Sequence, residues 1–552
     1  MENFSQLLFK KGLENFKNNN FNQAEEDFEK LLIIHPENLN ILNNLALVYF
    51  KNKKFNKSEI TLKKIIETNN EDKNTIEFLI LVLKKQDKIE EIKKYILEKK
   101  KLINPKYQIL EKILIPQILE NQEQINSYRD EILQNLKQEN YDKTIKLDID
   151  TQLLDPPMFN FSYDKNNNLD LGKNFIKLFK NIYPQLNQIP KIKNVKNEKI
   201  TIAFISKFFN NHTIEKLFKG IIFNLDQNKF DINIFHLQGE INHSFLDKES
   251  QSNLKNFILP KHFEDKVNFI LKKELDIIFY PDIGMSTELY YLTFLKLAKK
   301  QITSWGHPET SGNPPIDYFL SSELLEIKDA QTHYSEKLLL SKYLPMYFYK
   351  PNIEIINDLN ISKNNIYSCP QTMMKLHPDF DEILKKILEN DKKATIYFIK
   401  DSDEILYKKI YERLRKKIPN NFEKIKFIKK LSYRDYISHC GQASVLLDPL
   451  YFGSGNSFHE SMLFGTPTVS MPSKYMKSRV VLGSYKQMNI ENPPITKTID
   501  EYVSKAVEIA NKEPEQLLQI KKYYAECANK KLYENKNSII EIEKILMNIL
   551  VN

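Results

Sequence analysis

Residues 440–471 read CGQASVLLDPLYFGSGNSFHESMLFGTPTVSM. The apolar run at 443–447 has the character of a buried strand. A turn of glycine and small polar residues follows: Gly453, Ser454, Gly455, Asn456 and Ser457. Residues 458–464 have helix length and stop at Gly465 and Pro467, and 468–471 form a second short apolar strand. Strand, turn, helix and strand make a βαβ unit, which places this part of the chain in the α/β class. A turn that opens a helix leaves backbone N–H groups unpaired at the positive end of the helix dipole, so the stretch predicts an anion site suited to phosphate. It is not GxxxxGK[ST], which excludes a P-loop. Glu460 stands one turn into the helix. Its carboxylate can accept from two hydroxyls of a ribose, and an acidic residue in a first turn is equally ordinary capping chemistry.

Upstream, strands and helices alternate in two sets. In the first, strands are expected at 199–206, 231–237, 276–280, 301–305 and 316–320, with helices from 214, over 262–275 and over 288–298. In the second, strands are expected at 364–368, 395–399, 425–427 and 444–447, after a polar bridge at 346–362. Such alternation builds parallel sheets whose ligands bind past the carboxyl ends of the strands. His212, Asp282 and His307 fall just past strand ends in the first set, and Gln371 and Lys375 do so in the second. Two α/β domains with polar groups at their strand ends imply a ligand cleft between them. His212 suits a base, an anion ligand or a helix cap. Lys375 suits the neutralisation of a departing phosphate. The segment WGHPETSG, 305–312, with glycines around a proline and small hydroxyls, suggests close approach of backbone to ligand. Asp282 and Asp448 read as structural.

The N-terminal region is different. Leu8, Gly12, Phe16, Phe21, Ala24, Phe28, Leu31 and Pro36 recur as Leu42, Ala46, Phe50, Phe55, Ser58, Leu62, Ile65 and Asn70, an offset of 34 residues. That is the period and pattern of a tetratricopeptide repeat. A weaker third unit starts near Lys73. Residues 105–150 continue as helices, 154–168 are rich in Pro, Asp and Asn and read as loop, and 171–182 predict one more helix. The tail at 499–550 is helical and expected to pack back across the domains.

Composition narrows the function classes. The chain has 552 residues, 81 basic and 72 acidic, for a net charge of +9. The lysines sit in mixed Lys/Glu/Asn segments with no arginine-rich or aromatic-interleaved stripe, so no nucleic acid partner is expected. Cys369, Cys440 and Cys527 have no paired spacing, which argues against a disulfide scaffold or zinc ribbon. The histidines show no metal-ligand spacing, so no metal is expected. MENFSQLLFKKG lacks the apolar region of a signal peptide, and no run approaches a membrane span; a cytoplasmic location is the expectation.

Together these motifs resemble the tetratricopeptide-containing protein glycosyltransferases, the family of O-GlcNAc transferase, SPINDLY proteins and the bacterial adhesin-modifying asparagine glucosyltransferases. The likeness runs over about residues 199–485. It rests on SKFFNNH ending at His212, WGHPETSG, IDYFLSS at 316–322, YSEKL at 334–338, the Gln371–Lys375 QxxxK pair, the loop at 453–457, Glu460, GTP at 465–467 and SRV at 478–480. The resemblance implies an α + α/β chain: tetratricopeptide-like repeats over 1–104, a helical connector over 105–198, an acceptor-side Rossmann-like domain over 199–350 and a nucleotide-sugar-side domain with C-terminal helices over 351–552, the last two forming a GT-B fold. It implies a cytoplasmic, bacterial, inverting transferase that uses a UDP-sugar and no cofactor or metal, with a protein or peptide acceptor. Gln371, Lys375, Ser454, Gly455, Asn456, Ser457 and Glu460 would hold the donor. Gly306, Pro308, Thr310, Ser311 and Gly312 would form the acceptor-side loop. His212, His307 and Lys375 would serve the chemistry. Gly455 stands where the O-GlcNAc enzymes carry a histidine, and Glu460 where they carry an aspartate. Sugar and acceptor atom stay open, as do a scaffold with a vestigial site and a small-molecule or lipid glycosyltransferase.

Overall fold

The computed structural model describes residues 2–69, 71–156, 158–195, 197–237, 254–353 and 365–551. The chain forms two compact units: 1–117 with 138–147, and 118–137 with 148–552. The first unit runs past residue 104, the boundary expected from the repeat pattern, and the second takes up the remainder of the connector.

The first unit is a run of antiparallel helices: α1 (Glu2–Lys17), α2 (Phe21–Ile34), α3 (Leu39–Lys51), α4 (Phe55–Thr68), α5 (Lys73–Lys85), α6 (Ile89–Lys99) and α7 (Lys106–Ile113). The 34-residue period is visible in the backbone. Asn19, Lys53 and Asp87 each take a left-handed conformation (φ 61°, 59° and 57°) at the turn inside their repeat. Side chains repeat as well. Glu25 accepts from Asn52 (2.7 Å) and Lys54 (2.6 Å), and Glu59 accepts from Gln86 (2.7 Å) and Lys88 (2.7 Å). The third repeat, faint in sequence, is therefore a full structural copy. Gly12 lets α1 and α2 cross closely, since a Cβ there would meet the Phe28 ring at 3.0 Å.

The second unit opens with α8 (Gln122–Lys137), α9 (Met158–Phe161) and α10 (Leu169–Ile182). The short helix α9 lies inside the stretch expected to be loop. A seven-stranded sheet follows: β1 (Ile200–Ser206), β2 (Phe230–His236), β3 (Lys255–Ile258), β4 (Ile277–Tyr280), β5 (Lys300–Ser304), β6 (Tyr318–Ser322) and β7 (Lys337–Ser341). Its order is β3-β2-β1-β4-β5-β6-β7, all parallel. Strands β3 and β7 were not expected. Both are short strands at the two edges of the sheet and are largely uncovered, so neither has the burial that a continuous apolar core strand shows.

The second sheet holds β8 (Asn365–Cys369), β9 (Ala394–Ile399), β10 (Ile425–Ile428), β11 (Val445–Leu447) and β12 (Thr468–Val469), ordered β10-β9-β8-β11-β12 and also parallel. Residue 364 and most of the expected polar bridge, from 354, lie outside the described residues. Helices cover both sheets because their strands are apolar on both faces. The tail does cross back: Ile539, Ile542, Leu546 and Ile549 of the helix Lys536–Val551 join the core of the first sheet, and Glu543 accepts from the Asp226 amide at 2.7 Å. All three cysteines are unpaired.

Candidate active site

In each sheet the strand order reverses between two neighbours, β1 with β4 and β8 with β11. Loops leaving those strands diverge, and the crevice between them is where open α/β sheets bind ligands. The loops after β1, β8 and β11 all reach one cavity of about 620 Å³, within the usual range for small-molecule sites. His212, Gly306, His307, Pro308, Gln371, Lys375, Gly453, Gly455, Asn456, Ser457 and Glu460 line it.

His212 enters from a sharp turn. Asn211 is left-handed at φ 66°, and His212 then caps helix α11 (Thr213–Asn224), its Nδ1 accepting from the Ile214 amide at 3.2 Å. Its ring stacks on Phe208 at 4.5 Å. Burial lowers its pKa, so the ring is neutral at pH 7. With Nδ1 accepting, the neutral ring carries its proton on Nε2 and offers the cavity a donor.

Lys375 and Gln371 tie the loop after β8 to the loop after β11. The Lys375 ammonium donates to Gln371 Oε1 (2.9 Å) and to the Gly453 carbonyl (3.0 Å). The Gln371 amide donates to Ser454 Oγ at 2.9 Å and to Ser457 Oγ. Burial pushes the lysine down to about 8, although the Asp448 carboxylate pulls the other way. Asp448, itself buried and raised to about 6, accepts from the Ser454 amide (2.6 Å) and Ser470 Oγ (2.6 Å). The Ser454 amide, expected to face an anion, is thus spent inside the fold. The amides of Gly455, Asn456 and Ser457 have no backbone partner among the described residues. The helix they open is Asn456–Ser461, shorter than the expected 458–464 and earlier in the chain. With under two turns its dipole is small, so the positive charge at this loop is carried by the Lys375 ammonium beside it. Gly453 has to be glycine, because a Cβ would stand 2.9 Å from Asp448 Oδ2; at Gly455 a Cβ would meet open space.

Glu460 is buried, and its Oε1 accepts from Lys216 of α11 at 2.7 Å. The Lys216 ammonium lies 3.8 Å from the centre of the Tyr433 ring. Asn456 Nδ2 donates to the Thr213 carbonyl at 2.5 Å. The two α/β halves are therefore joined across the crevice beside Glu460.

The 305–312 loop divides in two. Gly306, His307 and Pro308 face the cavity, and a Cβ at Gly306 would meet the Pro281 carbonyl at 2.3 Å. Thr310 and Ser311 are buried and turned away. Thr310 Oγ1 donates to Glu336 at 2.6 Å, the Ser311 amide to Glu336 at 2.8 Å, and Gly312, at φ 68°, packs against Gly172 of α10. The small hydroxyls of the TSG motif hold the loop to the YSEKL segment, at the entry to β7, and line no part of the cavity. His307 is fully buried and lowered to about 4 by burial. Its Nε2 faces Ser162 Oγ at 2.9 Å, so that nitrogen is occupied. Asp282 is also buried, raised to about 7, and does not line the cavity.

Several residues at the cavity were not singled out by their sequence. Lys477 donates to Glu309 (2.7 Å) and to the Asn166 carbonyl (2.9 Å). Lys430 and Tyr436 also line it, and Phe159, Tyr163 and Phe452 form another wall. The aromatic run FNFSY inside an otherwise polar stretch was the one local signal for Phe159 and Tyr163. Among the described residues, no three His, Cys, Asp or Glu side chains are grouped to hold a metal ion, and no helix is long and apolar enough to cross a membrane.

Known proteins match this architecture. The tetratricopeptide repeat family matches residues 15–74. A UDP-glucose:protein N-beta-glucosyltransferase of Actinobacillus pleuropneumoniae is 25% identical over 256 residues, 45% of this chain and 40% of that protein. A probable UDP-N-acetylglucosamine–peptide N-acetylglucosaminyltransferase, SEC, of Arabidopsis thaliana is 22% identical over 57% of this chain and 34% of its own length. The chain thus spans well under half the length of the curated relatives it matches. An O-GlcNAc transferase variant of Thermobaculum terrenum superposes over 99% of this chain and 97% of its own, with TM-score 0.68 and 12% identity. The chain therefore has the fold of that O-GlcNAc transferase, helical repeats followed by two Rossmann-like sheets in the GT-B arrangement, and it resembles UDP-sugar-dependent protein glycosyltransferases in sequence.

Proposed function

We propose that this chain is an inverting glycosyltransferase that moves a hexose or N-acetylhexosamine from a UDP-sugar to a Ser, Thr or Asn side chain of a polypeptide. The observation that carries the reading is the Lys375 ammonium, held between Gln371 and the Gly453 carbonyl where the second sheet reverses its order. A lysine raised over a loop of unpaired amides suits a diphosphate leaving group. The acceptor O–H or N–H attacks the anomeric carbon, the bond from that carbon to the phosphate oxygen breaks, the nucleoside diphosphate leaves with the electron pair, and the acceptor's proton passes to the departing diphosphate or to water. Charge grows on the leaving oxygens, where Lys375 and the Gly455–Ser457 amides stand. Lys375 supplies the neutralising charge in this reading, and turnover proceeds without a divalent metal.

Glu460, ion-paired with Lys216, accepts from the ribose. His212 meets the substrate through Nε2–H and acts as a hydrogen-bond donor. His307 has its Nε2 engaged by Ser162 and shapes the cavity floor. The polypeptide acceptor is supported by the repeats, whose stacked helices suit an extended chain, and by the protein acceptors in the names of both curated relatives. Incubation of the pure protein with labelled UDP-glucose, UDP-galactose or UDP-N-acetylglucosamine and a cell extract tests the proposal. Label in protease-sensitive material supports it. Label in lipid alone, or none with any donor, overturns it.

A further inference from the structure

We propose that Phe159, Tyr163 and Phe452 form the wall on which the sugar ring of the donor lies, so that the connector segment around α9 is part of the active site. The inference rests on Lys375 marking the diphosphate. From that ammonium a row of rings runs into the cavity. Phe452 is centred 5.0 Å from Lys375 Nζ, Tyr163 is 5.0 Å from Phe452, Phe159 is 5.4 Å from Tyr163, and His307 stacks on Phe159 at 5.7 Å. The three aromatic side chains are only half-buried and line the cavity, unlike rings that fill a core.

The Tyr163 hydroxyl has no hydrogen-bond partner among the described residues. Position is imposed from both ends of the row. Tyr451 takes a left-handed backbone (φ 72°), costly for a bulky residue, and its hydroxyl donates to Asp379 at 2.8 Å, which fixes the turn that presents Phe452. Ser162, between Phe159 and Tyr163, is pinned to His307 at 2.9 Å.

The chemistry fits a pyranose. Its C–H faces are weakly positive and apolar and lie well against the negative face of an aromatic ring, while its rim of hydroxyls needs polar partners such as a tyrosine O–H. Inversion assigns the wall to the sugar. The acceptor attacks from the side opposite the leaving group, so the surface next to Lys375 belongs to the group joined to the diphosphate.

The test compares Tyr163→Leu, Tyr163→Phe and Phe452→Leu with wild type. Calorimetry gives UDP affinity, and steady-state assays give hydrolysis of UDP-glucose and UDP-N-acetylglucosamine. UDP affinity should stay within about twofold, while kcat/KM for the better sugar donor falls about tenfold in each leucine variant, the scale of one lost aromatic contact. Tyr163→Phe, which keeps the ring and serves if a leucine variant melts early, should lose about threefold or more through the hydroxyl. Wild-type turnover in the variants, or UDP affinity falling in step with turnover, overturns the inference while the nucleotide-sugar reading stands. A wild-type protein that neither binds UDP nor hydrolyses either donor removes both.

Discussion

Lys375→Met separates chemistry from folding. Methionine keeps the length of the arm and removes its charge. In the native protein Lys375 is lowered to about 8 by burial, so the fold disfavours its charged form. That penalty is present below pH 8 and fades as pH rises toward the ordinary lysine value. Removing the charge at pH 7 relieves it. The loss of attraction to Asp448 works against this gain, but that carboxyl is already raised to about 6 and takes up a proton at little cost. The melting temperature of Lys375→Met at pH 7 should therefore be no lower than wild type. Turnover should behave differently. A preorganised donor facing developing charge contributes about 2–4 kcal/mol, so kcat should fall by about 30-fold to 1,000-fold. Wild type should also lose kcat/KM on the alkaline side, about tenfold per pH unit once Lys375 gives up its proton above about pH 8. Differential scanning fluorimetry and a pH–rate profile with UDP-sugar provide both readouts. Near-wild-type kcat in Lys375→Met, or a fall in kcat matched by a collapse in melting temperature, would refute the reasoning.

Glu460→Ala should weaken UDP binding about tenfold to a hundredfold in calorimetry, the worth of hydrogen bonds to a charged group, and unchanged affinity would leave Glu460 with only its Lys216 contact. Gly455→Ala should keep its melting temperature, while Gly453→Ala should lower it, because only the second pushes against a buried carboxylate; equal effects would contradict the loop geometry. Activity should survive EDTA, since the proposed mechanism assigns the diphosphate charge to Lys375; loss restored by magnesium or manganese would show that the lysine does not suffice.

The local signals in the chain carried the order of strands and helices, the 34-residue repeat and the position of QxxxK relative to the small-residue turn. Each depends on residues a few positions apart, where the periods of strand and helix act directly. The resemblance drawn from those motifs agrees with the relatives found. Local spacing also placed Glu460, Lys375 and the 305–312 loop near one crevice, because parallel α/β topology puts strand ends on one side. It did not say what these groups touch. Lys216 meets Glu460 from 244 positions away, Ser162 meets His307 across 145, and Lys477 meets Glu309 across 168. Those separations close only when both sheets and the connector have packed, and no periodicity records them. The same packing turned Thr310 and Ser311 onto Glu336, spent the Ser454 amide on Asp448, and occupied the Ile214 amide with His212 Nδ1. Backbone amides and ring nitrogens look alike in sequence; tertiary structure decides which of them are already satisfied and which still face a ligand.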